Sequence, residues 1–200
     1  MSAVDEGIVR EFFELHGFLV CQRRKYIPSR HRSADEEVDL IVLNPAAPAG
    51  IAPAEFEITS KMLSQVSRAI VAVKGWHTEI FAPGVLAHQP KIFRFVEKRA
   101  IEEAQRLVGS EGLVKILVVP GLPRDTKTRQ RSIELLRSKG VDGVISFRSI
   151  LQELTASVAT NRNYQKSDLL QVLRLLKNYG LLKEPQMEFG WKRRARKAAA

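Results

Sequence analysis

A chain of 200 residues, 44% hydrophobic and 27% charged, is long enough to bury one substantial core and too short for two of ordinary size. Its 32 Lys and Arg against 22 acids leave a formal charge of +10, which favours a polyanion as partner or substrate, nucleic acid first, although membrane-surface proteins and plain basic enzymes share such charge. One cysteine, Cys21, excludes an intrachain disulfide; no Cys/His spacing resembles a zinc site, and no apolar run approaches the ~18 residues that span a bilayer, so a cytoplasmic protein with no membrane partner is expected.

Val4, Ile8, Phe12 and Leu15 recur at helical spacing before Gly17, predicting an amphipathic helix over about residues 3–16. FLVCQRRKY reads as a strand with a basic far end, Arg23, Arg24 and Lys25, and the polar stretch IPSRHRSADEE follows as a loop. Val38 to Leu43 is nearly continuous in apolar residues after Asp39, the pattern of a strand buried on both faces. A Pro/Ala-rich connection longer than most loops, carrying Glu55 and Glu57, reads as an insertion at one edge. Thr59 or Ser60 can cap a short helix, SKMLSQV, ahead of a third strand, RAIVAVKGW, with Lys74 at its end.

A helix from about Lys91 to Val108 is predicted next, then the clearest strand, LVKILVVP, a helix opened by Asp125 or Thr126 and closed at Gly140, the strand VDGVISF, and a further helix from Ser149. This alternation of strand and helix predicts a parallel crossover unit and an α/β class. After a break at 161–165, KSDLLQVLRLLKNYGLL reads as a last helix with Ser167 as cap and Gly180 as stop; its leucines can pack on the sheet or form a partner surface. One domain over residues 1–183 and a basic tail over 184–200, too poor in apolar residues to fold alone, complete the expected organisation.

An opening helix with a glutamate and an HGF turn (FELHGFLV), an apolar strand bearing an aspartate (Val38-Asp39-Leu40-Ile41), and a strand ending in lysine (Val71-Ala72-Val73-Lys74) together resemble the PD-(D/E)xK nuclease superfamily, within it the Holliday-junction-resolvase and RecB-like branch. The resemblance covers about residues 3–150. It implies a restriction-endonuclease-like fold, a mixed central sheet flanked by helices, and DNA as partner, with a homodimer as one arrangement. It also implies Mg2+-dependent cleavage of DNA phosphodiesters, with Asp39 as metal ligand, Glu6 as an auxiliary acid on the helix, and Lys74 as the electrostatic catalyst.

In such a site two carboxylates hold Mg2+, which polarises the phosphate and helps make hydroxide, while the lysine offsets developing charge. Strand alternation sets positions 72 and 74 on one face, but position 72 is alanine, so one expected ligand is missing. Three readings compete: Glu55 or Glu57 replaces it as metal ligand; the site is catalytically dead and the fold serves nucleic-acid binding or assembly; or the chemistry is different or the strand is misassigned. A protein-interaction module without nucleic-acid binding is the rival from another class.

Plain roles stand beside each of these. Glu6 can be a surface acid favoured at a helix N-terminus, and Lys74 an ordinary strand-end lysine with its head in water. His31 and His77 lack an identifiable partner. Trp76 and Trp191 can stack on bases or simply pack, and Cys21 reads as an inert strand residue. Arg23, Arg24, Lys25, Arg30 and Arg32, with Lys192, Arg193 and Arg194, are the candidates for phosphate contacts.

Overall fold

The computed structural model of the chain describes residues 2–22, 38–48 and 53–182. The chain divides into two compact units, Met1–Ser157 and Val158–Ala200. The last helix, expected within a domain running to residue 183, therefore belongs to the second unit.

The first unit is an α/β structure built on a five-stranded mixed sheet in the order β1-β2-β3-β4-β5. Helix α1 (Ala3–Leu15) leads into β1 (Leu19–Gln22), β2 (Leu40–Leu43) and β3 (Arg68–Val73), an antiparallel meander. Strands β4 (Leu113–Val119) and β5 (Gly143–Ser146) add in parallel. Between β3 and β4 lie α2 (Pro83–His88), a 3-10 turn (Pro90–Val96) and α3 (Lys98–Val108); α4 (Thr126–Ser138) joins β4 to β5, and α5 (Phe147–Ser157) follows. Helices cover both faces. Ile41, Ile70, Ala72 and Leu117 share one core cluster with Phe81, Leu86, Phe95 and Leu136, while α1 packs on β1, β2 and β3 and against α5.

Helix ends follow the expected chemistry. Ser2, Asp125 and Ser167 accept hydrogen bonds from Val4, Thr128 and Leu170 N–H, supplying acceptors to otherwise orphaned amides. Thr59, by contrast, makes no side-chain cap, and the segment it precedes, Ser60–Gln65, is 3-10 rather than α.

Three elements depart from the sequence pattern. In α1 the buried side carries Val9, Phe12 and Phe13 together with Asp5, Glu6 and Glu11, while Val4 and Leu15 are exposed. The helix is rotated to sink two adjacent phenylalanines, and the first-turn acids go under with them. The helix expected from Lys91 to Val108 breaks at Glu97, whose extended backbone (φ −68°, ψ 150°) lets the 3-10 turn bury Ile92, Phe93 and Phe95 while α3 buries Ala100 and Ala104. Cys21 lies exposed on edge strand β1.

The long connection after β2 does reach a sheet edge. Glu57 forms a parallel bridge with Val144, with Ile58 N–H on Val144 O and Val144 N–H on Phe56 O, both at 2.8 Å. Gly143 is required there, since a Cβ would stand 2.5 Å from Ile58 Cδ1.

In the second unit, α6 (Asp168–Asn178) has no buried residue and exposes Val172 and Leu175. No described helix is long and apolar enough to cross a membrane.

Candidate functional site

The β-branched run of β3 is buried from Ala69 to Val73, and the ladder with β4 continues one step beyond it, since Lys74 N–H donates to Val118 O at 2.9 Å. On the other side Asp39 N–H donates to Val71 O at 3.0 Å, and Asp39 Oδ2 accepts from Val73 N–H at 2.7 Å. Asp39 and Lys74 are therefore brought to the same end of the β2–β3 pair, as the motif positions require. Both are buried, at 2% and 8% exposure. The Asp39 carboxylate is thereby committed to a backbone amide beyond the start of β2, where an unpaired buried N–H would be costly.

The β2–β3 ladder ends at Leu40↔Val71, and just beyond it Asp39 bonds Val71 O and Val73 N–H, the backbone groups on either side of Ala72. Ala72 is fully buried in the apolar cluster that contains Ile70, Phe81 and Leu117. The position where the nuclease motif has its acid is thus a core position, built for a methyl group.

The migrated acid does not reach the gap. Asp39, just ahead of β2, stands at one end of a row in which Ala72 pairs with Leu117, then Val144, then Glu57. Four strand spacings of ~4.8 Å put Glu57 roughly 19 Å from Asp39. Glu57 is moreover held in a bidentate pair by Arg129 Nε and Nη2, a hydrogen bond that raises the Arg129 pKa above its ordinary value. Glu55 is exposed on the same edge segment. The expectation that Glu57 ligates a metal with Asp39 is corrected by this geometry.

Glu6 is buried and accepts from Gln22 Nε2 on β1 at 3.0 Å. Gln22 lies opposite Leu40, so its side chain shares the face that Leu40 presents. Glu6 thus ties α1 to the edge strand. Among the described residues, no group of three or more His, Cys, Asp or Glu is placed to hold a metal ion. Asp39, Glu6 and Glu57 each bond a different partner, a backbone amide, Gln22 and Arg129, and are not gathered around one ion. Arg23, Arg24, Lys25, Arg30, Arg32, Lys192, Arg193 and Arg194, with His31 and Trp191, lie outside the described residues.

One residue past Lys74 the surface opens. A groove of about 800 Å3 is lined by residues 75–79, Gly84, Val85, His88 and Gln89. Its wall carries a pairing that the sequence did not reveal: His77 Nε2 lies 3.1 Å from Asp5 Oδ1, with the imidazole edge-on against Phe147 at 4.7 Å. A carboxylate oxygen without a proton only accepts, so the hydrogen of this bond lies on His77 Nε2. Asp5 packs so close to Gly75 that a Cβ there would stand 2.0 Å from Oδ2. Asp5 and His77 are 72 positions apart, and no spacing rule links them.

No family model, curated protein or solved structure matches this chain.

Proposed function

We propose that this chain is a nucleic-acid-binding protein on a restriction-endonuclease-like sheet, inactive as a Mg2+-dependent nuclease. The element order supports the first part: a helix, a three-strand meander and parallel crossover units are the arrangement on which the resemblance rests. The charge of +10 supports a polyanionic partner, with DNA the substrate class that the resemblance favours.

The observation that carries the second part is Ala72, buried in the apolar core beside Asp39, whose Oδ2 accepts from a backbone amide. A hard cation held by few protein carboxylates is severely weakened by the loss of one of them. Lys74 remains where an electrostatic catalyst would stand, but little of it reaches solvent.

A second reading has one specific observation behind it. The exposed Val172 and Leu175 of α6, followed by exposed Tyr179 and Leu181, suit a protein partner, and a module of that kind would show no salt-sensitive DNA retention.

The test is an assay of supercoiled, branched and single-stranded DNA with and without Mg2+. Salt-sensitive retention without cleavage is expected. Robust Mg2+-dependent cleavage, lost in Asp39→Asn, overturns the inactive site; the asparagine keeps an acceptor for Val73 N–H, so loss of cutting would report chemistry rather than unfolding.

A further inference from the structure

We infer that the groove beyond β3 receives an unstacked base of a single-stranded nucleic acid, with Trp76 as its stacking platform. The inference rests on the nucleic-acid-binding reading above and adds the form of ligand that the chain recognises.

Trp76 is 39% exposed and stacks on Phe81, with ring centroids 5.6 Å apart and planes 29° apart. Phe81 is fully buried in the core. One indole face is therefore fixed against a rigid support while the ring still contributes surface to the groove. An aromatic ring held this way offers a flat apolar surface with little freedom left to lose, and bases stack on such rings whatever their sequence.

The loop that carries Trp76 is held in place before any ligand arrives. Glu79 N–H donates to Trp76 O at 2.8 Å, and Phe81 N–H donates to Gly121 O at 3.1 Å, just past β4. His77, the next residue, is held by Asp5 and Phe147. Such preorganisation lowers the cost of binding.

Size and chemistry agree. The groove's volume lies within the roughly 300–1,000 Å3 of small-ligand sites. Thr78 and Gln89 on its walls supply hydroxyl and amide groups able to bond a base edge. A base stacked within a duplex hides both faces between its neighbours, so only an unstacked base can use the platform. The charge of +10 attracts phosphates at long range, while the groove lining itself holds one acid, Glu79, and no Lys or Arg, so the groove serves the base and not the phosphate.

The experiment follows Trp76 fluorescence in the full chain carrying Trp191→Phe, the other tryptophan being removed so that one reporter remains. Oligodeoxythymidylate and a blunt duplex are titrated separately. Quenching by the single strand but not by the duplex is expected, and Trp76→Ala should weaken single-strand binding roughly five- to 150-fold while leaving duplex retention unchanged. Trp76→Phe, which keeps a ring on Phe81, should lose less than the alanine variant and controls for folding. Binding of both DNAs with no quenching, and with single-strand affinity unmoved by Trp76→Ala, overturns the stacking inference and leaves nucleic-acid binding intact. No binding of either DNA overturns both.

Discussion

Two regions that meet between Lys74 and Gly75 differ in almost every physical respect. Up to Lys74 the chain is strand and ladder: Asp39, Ala72 and Lys74 are buried, and the Asp39 carboxylate serves a main-chain amide. From Gly75 onward the backbone leaves the sheet and Trp76, His77, Thr78 and Glu79 are exposed around an open groove. Asp39, Ala72 and Lys74 lie in the buried sheet, while the accessible chemistry lies one residue further along.

The substitution that sets the two regions furthest apart is Ala72→Glu. In an open metal site it would be close to neutral and would confer Mg2+ affinity; in the apolar cluster it buries an unpaired carboxylate. A loss of at least ~3 kcal/mol is expected in urea denaturation, with no Mg2+-dependent recovery. Full stability with tight Mg2+ binding would show that position 72 opens to solvent.

Asp39→Ala comes next, because it orphans the buried Val73 N–H. About 2 kcal/mol should be lost, and Asp39→Asn, which retains an acceptor oxygen, should lose clearly less. Equal losses from the two would mean that the charge, not the hydrogen bond, is what the fold uses.

Smaller again is Glu57→Gln at the far edge of the sheet. The Glu57–Arg129 pair is partly exposed, so about 1 kcal/mol or less is expected, shrinking as salt rises. A change in any nuclease activity on this substitution would return Glu57 to the site.

The smallest effect concerns the α4 cap. Thr128 N–H and hydroxyl donate to Asp125 and lower its pKa below the ordinary 3.8. A carboxylate depressed in the folded state contributes stability above its unfolded pKa and loses it as pH falls through the folded one. The melting-temperature difference between wild type and Asp125→Ala should therefore be constant near neutral pH and narrow only below about pH 4. A difference unchanged at still lower pH would show that the ionised form of Asp125 is not what caps α4.

Much of this fold was legible because its signals are local. The continuous apolar run of β2, buried from Leu40 to Val42, the caps at Asp125 and Ser167, and the alternation after Leu113 each depend on neighbours in sequence. The neighbourhood of Asp39 and Lys74 was legible too, since strand order and alternation fix it.

What was not legible depends on pairings across the fold. The rotation of α1 that buries Asp5 and Glu6 follows from the sheet it packs on, and the break at Glu97 from the need to bury Ile92, Phe93 and Phe95 together. Ala72 read as a missing ligand in sequence and became a core residue only once Phe81 and Leu117 stood around it. Asp5 found His77 through the meeting of α1 with the loop after β3.

The central claim is that this chain binds nucleic acid without cutting it. Its most direct test is a salt titration of binding to a labelled DNA in the presence of Mg2+, with the strand lengths read at the end. The account predicts affinity that falls steeply and log-linearly with salt and DNA recovered at full length. DNA shortened only when Mg2+ is present, or affinity indifferent to salt, would contradict it.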